Sequence, residues 1–172
     1  MTGMDGLIGD RHGSGRVGRI HIFPSLVEPN NPFTIPGEAS VFVTIGAGET
    51  HVTVLDGEGA CSRGWTAIFG WSALCSLTVL IDGREVTFDE ETLVARALTG
   101  AARVYGRHVD TSAFLHSARE LFVEVMDQIL SRTIGSGAAY DTIVLAAPDW
   151  LHGVLAAVVD LRPHILPEIR DN

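Results

Sequence analysis

The chain has 172 residues, 46% hydrophobic and 19% charged, with a formal net charge of −9 and a pI near 5.1. That length suits one domain with a sizeable core, and the apolar share excludes a disordered chain. The acidic balance opposes direct binding to nucleic acid or anionic lipid. No apolar run reaches the length of a membrane span, and the start lacks the apolar stretch of a secretory signal, so a cytoplasmic protein without a membrane partner is expected.

Residues 1–18 read as a flexible N-terminal tail, Gly-rich and polar through Arg16, and 19–172 as a single α/β domain. Arg19–Phe23 alternates like a strand and is stopped by Pro24. Residues 28–37 hold Pro29, Pro32 and Pro36 and read as loop. Ala39–Thr44 and His51–Leu55 are β-branched runs, read as two strands joined over 45–50. Cys61–Ser76 is ambiguous: Trp65, Ile68, Phe69 and Leu74 could line a helix, against which Gly64 and Gly70 count. Leu77–Ile81 and Arg84–Phe88 flank Asp82-Gly83, a pairing that predicts a type I′ hairpin because both residues tolerate positive φ.

Helices are expected to follow. Thr87-Phe88-Asp89-Glu90 has capping-box spacing, with Asp89 as a competing N-cap. Leu93, Val94, Ala97, Leu98 and Ala101 then recur at helical spacing, and Gly106 stops the pattern. Asp110, Thr111 or Ser112 can cap a second helix. Its stripe is Phe114, Leu115, Ala118, Leu121, Phe122, Val125, Met126, Ile129 and Leu130, with Arg119, Glu120, Glu124, Asp127 and Gln128 opposite. Gly135-Ser136-Gly137 ends it. Asp141–Ala146 is a continuous apolar run, read as a buried strand, and Leu151–Val159 as a helix. Pro163 and Pro167 close the chain in an extended tail. This order predicts a mixed β-sheet, hairpins first, covered by C-terminal helices.

Most chemistry-bearing residues lack a pattern. Cys61 and Cys75 are too far apart for a CxxC pair and read as buried free thiols. The histidines form neither HxH nor HxxxH; His108, Asp110 and His116 could hold a metal only by converging in space. No Gly-x-Ser-x-Gly elbow occurs. Asp89-Glu90-Glu91 sits at a helix start, where acids favour the macrodipole without a catalytic role. Trp65, Trp71 and Trp150 serve either packing or a partner surface.

The loop Gly46-Ala47-Gly48-Glu49-Thr50 is the candidate binding site. Small residues let backbone N–H groups approach a phosphate. A dinucleotide-type loop needs a helix after its glycines, whereas His51–Leu55 alternates as a strand. A phosphate hairpin and an ordinary turn both remain open. Thr44-Ile45-Gly46-Ala47-Gly48-Glu49-Thr50-His51 resembles the second phosphate loop of bacterial actin-like ATPases of the plasmid-segregation type, whose pattern is Asp-Ile-Gly-x-Gly-x-Thr-Asp before an apolar strand. The second helix and Tyr140–Leu145 are similar to that family's last helix and strand. The resemblance implies a ribonuclease-H/actin-like half that binds ATP with Mg²⁺ through residues 46–50 and assembles as a homo-oligomer or with a second chain. The family's two aspartates fall on Thr44 and His51, and its glycine-rich adenosine loop on Ala146-Ala147-Pro148-Asp149-Trp150. These departures imply a degenerate module, or a structural one that acts only through protein contacts.

Overall fold

The computed structural model describes residues 17–23, 37, 39–134 and 140–161. Its centre is a five-stranded mixed sheet. The strands are β1 (Val17–Phe23), β2 (Ser40–Ile45), β3 (Thr50–Leu55), β4 (Cys61–Ala67) and β9 (Tyr140–Ala146), in the spatial order β1-β9-β2-β3-β4. β9 lies parallel to both β1 and β2, while β2, β3 and β4 form an antiparallel meander. β9 therefore has a neighbour on each side, and its buried stretch Thr142–Ala146 agrees with the unbroken apolar run in its sequence. β1 begins at Val17, inside the segment expected to be tail. The expectations for residues 1–16, for the proline loop before Gly37, for 135–137 and for the end beyond 161 lie outside the described residues.

Two small hairpins accompany the sheet. β5 (Thr78–Ile81) and β6 (Arg84–Thr87) pair in full register, and Asp82 and Gly83 both take positive φ, 50° and 75°. This is the I′ geometry that Asp-Gly predicts. β7 (Arg103–Val104) and β8 (Arg107–His108) turn at Tyr105 and Gly106.

Three helices complete the fold: α1 (Glu91–Leu98), α2 (Ser112–Ile134) and α3 (His152–Leu161). The start of α1 corrects the sequence reading. Thr87 belongs to β6, where its hydroxyl meets Thr78 Oγ1 at 2.8 Å, so it cannot cap. Glu90 holds the N-cap position and makes no side-chain cap bond. The end of α1 comes early as well, in a Schellman turn at Gly100: Ala101 N–H bonds Arg96 O at 2.8 Å and Gly100 N–H bonds Ala97 O at 3.4 Å. Gly106 thus serves the second hairpin and does not stop the helix. The cap of α2 behaves as read: Asp110 Oδ1 accepts the Ser112 N–H at 2.9 Å, and Thr111 O accepts that of Leu115.

One face of the sheet carries the main core. Val41, Val43 and Ile45 of β2, Val52 and Val54 of β3, and Ile143 and Leu145 of β9 pack with Phe114, Ala118, Phe122, Met126, Ile129 and Leu130 of α2, Val94 and Ala97 of α1, and Val154 and Leu155 of α3. The predicted stripe of α2 is thereby accounted for. Each of the larger of these side chains, fully buried, contributes about 1.5–3 kcal/mol, and an eight-residue helix such as α1 depends on that packing. Phe42, Leu55 and Val144 form a second cluster through the alternate positions of the same strands.

The ambiguous stretch 61–76 divides in two. β4 is an edge strand whose residues are exposed or half-buried, so it carries no clear apolar alternation. Trp71–Ser76 is a 3₁₀ helix. None of the described helices is long and apolar enough to cross a membrane.

Candidate functional site

The hairpin between β2 and β3 is tighter than its sequence implies. Pairing continues to Ile45↔Thr50, leaving 46–49 as the loop, closed by Gly46 N–H to Glu49 O at 2.9 Å. Ala47, Gly48 and Glu49 are exposed. Because β2 pairs with β9 in parallel through Thr44↔Ala146, this loop and the segment 147–151 emerge side by side at the carboxyl ends of the parallel strands. That end is where open α/β sheets place their ligands.

The loop is braced from behind by the start of the 3₁₀ helix. Trp71 N–H donates to Gly46 O at 3.0 Å, and Ser72 N–H to Ala47 O at 2.9 Å. The buried Thr50 adds a third tie, its hydroxyl donating to Phe69 O at 2.7 Å. With two carbonyls held inward, the amides of Ala47, Gly48 and Glu49 donate to no acceptor among the described residues. Three successive free donors on an exposed loop can receive an anion. The brace requires glycine at position 70, where a Cβ would lie 2.2 Å from Ala47 O and 2.4 Å from Gly46 O. At Gly48 a Cβ would meet nothing within 4 Å. The sequence pointed to the glycines inside the loop; the one with no room to spare stands outside it.

Around this loop the structure gathers further groups. Trp71 and Trp150 meet edge to face, ring centroids 5.5 Å apart, and link the brace to the segment after β9. His152 Nε2 lies 3.0 Å from Ala147 O and 3.9 Å from Asp149 Oδ1. His51 faces Thr44 across the ladder. Its Nε2 is 3.1 Å from Glu49 Oε1 and its Nδ1 3.1 Å from Thr66 Oγ1. Both ring nitrogens are thus engaged, and a hydroxyl that donates or accepts suits either protonation state.

No family model and no curated protein matches the chain.

The other sequence candidates do not converge. His108 Nε2 accepts from the Arg103 guanidinium at 3.1–3.3 Å, Asp110 caps α2, and His116 pairs with Glu120 one turn along it at 3.3 Å. Among the described residues no group of three or more His, Cys, Asp or Glu side chains could hold a metal ion. Cys61 is exposed on the edge strand, contrary to the expected burial, and Cys75 is half-buried in the 3₁₀ helix. Burial, and then the charges of Asp89 and Glu91, push the Cys75 thiol pKa up, away from nucleophile chemistry. The third tryptophan, Trp65, packs under Arg132, whose guanidinium carbon lies 4.4 Å from the ring centroid.

Proposed function

We propose that the chain is a nucleotide-binding actin-like module, degenerate in its chemistry, that works by assembly with copies of itself or with a second protein chain. The observation that carries this reading is the pair of amides at Ala47 and Gly48, held outward because the carbonyls of their own peptide units, Gly46 and Ala47, are bound by Trp71 and Ser72, with the unpartnered Glu49 amide beside them. Phosphate oxygens are the natural acceptors for such a row. The chain order of hairpin, long helix and strand beside β2 supports the resemblance further.

Hydrolysis is not part of the proposal. The positions of the family's two carboxylates carry the Thr44 hydroxyl and the His51 imidazole. The segment after β9 offers Pro148, which has no N–H, where the family has its glycine-rich adenosine loop.

A thermal-shift titration with ATP, ADP and Mg²⁺ tests binding. A ligand at about 100 Kd adds roughly 2.7 kcal/mol to stability. Gly48→Val, at a site open to a larger side chain, is expected to leave the fold intact and abolish the shift. A parent protein that shows no shift refutes the reading.

One observation favours assembly without nucleotide. Ile68, just beyond β4 and next to the Phe69 that holds Thr50, is 98% exposed. On that reading, sizing gives concentration-dependent oligomers that ignore ATP and Mg²⁺ and that Ile68→Asp disperses.

A further inference from the structure

The resemblance brings Mg²⁺ along with its nucleotide, and the residues present do not fit that ion. Magnesium demands hard oxygen ligands in near-octahedral geometry, and proteins usually hold it through one or two carboxylates together with the phosphates. The two positions that would supply them, Thr44 and His51, face each other across the β2–β3 ladder as a half-buried neutral hydroxyl and an imidazole. Imidazole suits softer transition metals. The loop's own carboxylate, Glu49, has its Oε1 3.1 Å from His51 Nε2.

We infer that this hairpin takes a phosphate group without a divalent cation, His51 acting as a donor where the family places a metal-handling acid. The inference rests on the phosphate-binding reading above. Two backbone donors, at Ala47 and Gly48, are already aimed outward, the Glu49 amide is unpartnered, and His51 stands next to the loop with Nε2 3.1 Å from Glu49 Oε1. The ring is held from behind by Thr66 of β4, so its orientation does not depend on Glu49. An arriving phosphate oxygen competes with the Glu49 carboxylate for the Nε2 proton. Glu49, 59% exposed at its side chain, is free to swing into solvent when displaced. Removing two acidic groups also lowers the repulsion that a metal would otherwise have to neutralise.

The test is calorimetric titration of the full chain with ATP and, separately, with inorganic pyrophosphate, in excess Mg²⁺ and in EDTA. The expected result is the same affinity in both buffers to within about twofold, and a loss of about tenfold for His51→Ala, the scale of one charge-assisted hydrogen bond. His51→Asp, at an exposed position that tolerates the change, is expected to bind weakly in EDTA and to gain affinity when Mg²⁺ is added. Parent affinity that falls by more than about tenfold in EDTA overturns the metal-free inference and leaves the phosphate-binding reading standing. A His51→Ala protein that binds as tightly as the parent also overturns it. No heat from either ligand in either buffer overturns both readings together.

Discussion

Gly70→Ala is the sharpest test of how the loop is held. Gly70 sits at φ −150°, ψ −178°, extended backbone open to any residue, so alanine meets no torsional penalty. The obstacle is space. The new Cβ would lie 2.2 Å from Ala47 O, 2.4 Å from Gly46 O and 2.5 Å from Ala47 C, all of them backbone atoms. To regain 3.0 Å, residues 70–72 must retreat from the loop by about 0.8 Å. That retreat stretches the two bonds that Trp71 and Ser72 make to those carbonyls, now 3.0 and 2.9 Å, past the useful range. Two hydrogen bonds at about 0.5–1.5 kcal/mol each, plus overpacking strain of about 1–3 kcal/mol, give a loss of about 2–6 kcal/mol. For a domain of this size, at about 2–4 °C per kcal/mol, the midpoint of thermal unfolding should fall by about 4–24 °C. Urea denaturation followed by tryptophan fluorescence reads the effect where it occurs, since Trp71 and Trp150 meet edge to face at the brace. Gly48→Ala is the control, expected within about 0.5 kcal/mol of the parent. A Gly70→Ala protein as stable as that control would show that the loop is not held by this close backbone approach.

Other substitutions probe separate parts. Thr50→Val should cost about 0.5–1.5 kcal/mol because it removes the hydrogen bond to the carbonyl of half-buried Phe69, and Thr50→Ser should recover most of it; equal stability of the two variants in denaturant would count against the tie. The Ser112 backbone N–H, and then its side chain, hold the Asp110 carboxyl below the usual carboxylate range. Its stabilisation is therefore complete above the unfolded pKa of about 3.9 and is lost as pH falls through the lower folded value. The stability gap between the parent and Asp110→Ala should be level from neutral pH to about pH 5 and close below about pH 4; a gap that persists at lower pH would contradict this. At neutral pH a thiol reagent should label exposed Cys61 well before Cys75, whose thiolate is disfavoured by burial and by Asp89 and Glu91, and equal labelling rates would argue against that environment.

Local patterns carried much of the fold. Asp82-Gly83 specified its hairpin because few residue pairs accept two positive φ angles in succession. The stripe from Phe114 to Leu130 specified α2, since an apolar face that long has only one way to leave water. The unbroken run after Asp141 announced a strand covered on both faces. Where signals failed, a tertiary partner had taken the residue. The Thr87 hydroxyl went to Thr78 across a strand pair, and Gly100 ended α1 with a turn that the periodicity of Ala101 concealed. β4 left no signature because an edge strand exposed along most of its length need not alternate.

The same division holds for the candidate site. Neighbouring residues alone specify two β-branched strands flanking a small-residue loop, with the Thr44 hydroxyl before it and the His51 imidazole after it. The direction in which the loop's peptide groups point is set by contacts from elsewhere in the fold. That orientation comes from Trp71 and Ser72, more than twenty residues downstream, which bind the carbonyls of Gly46 and Ala47 and so turn the amides of Ala47 and Gly48 outward. It needs Gly70 because backbone meets backbone there with no room for a methyl group. A close approach between distant segments leaves no trace in either segment's own pattern, because it depends on where the sheet and the 3₁₀ helix bring them together.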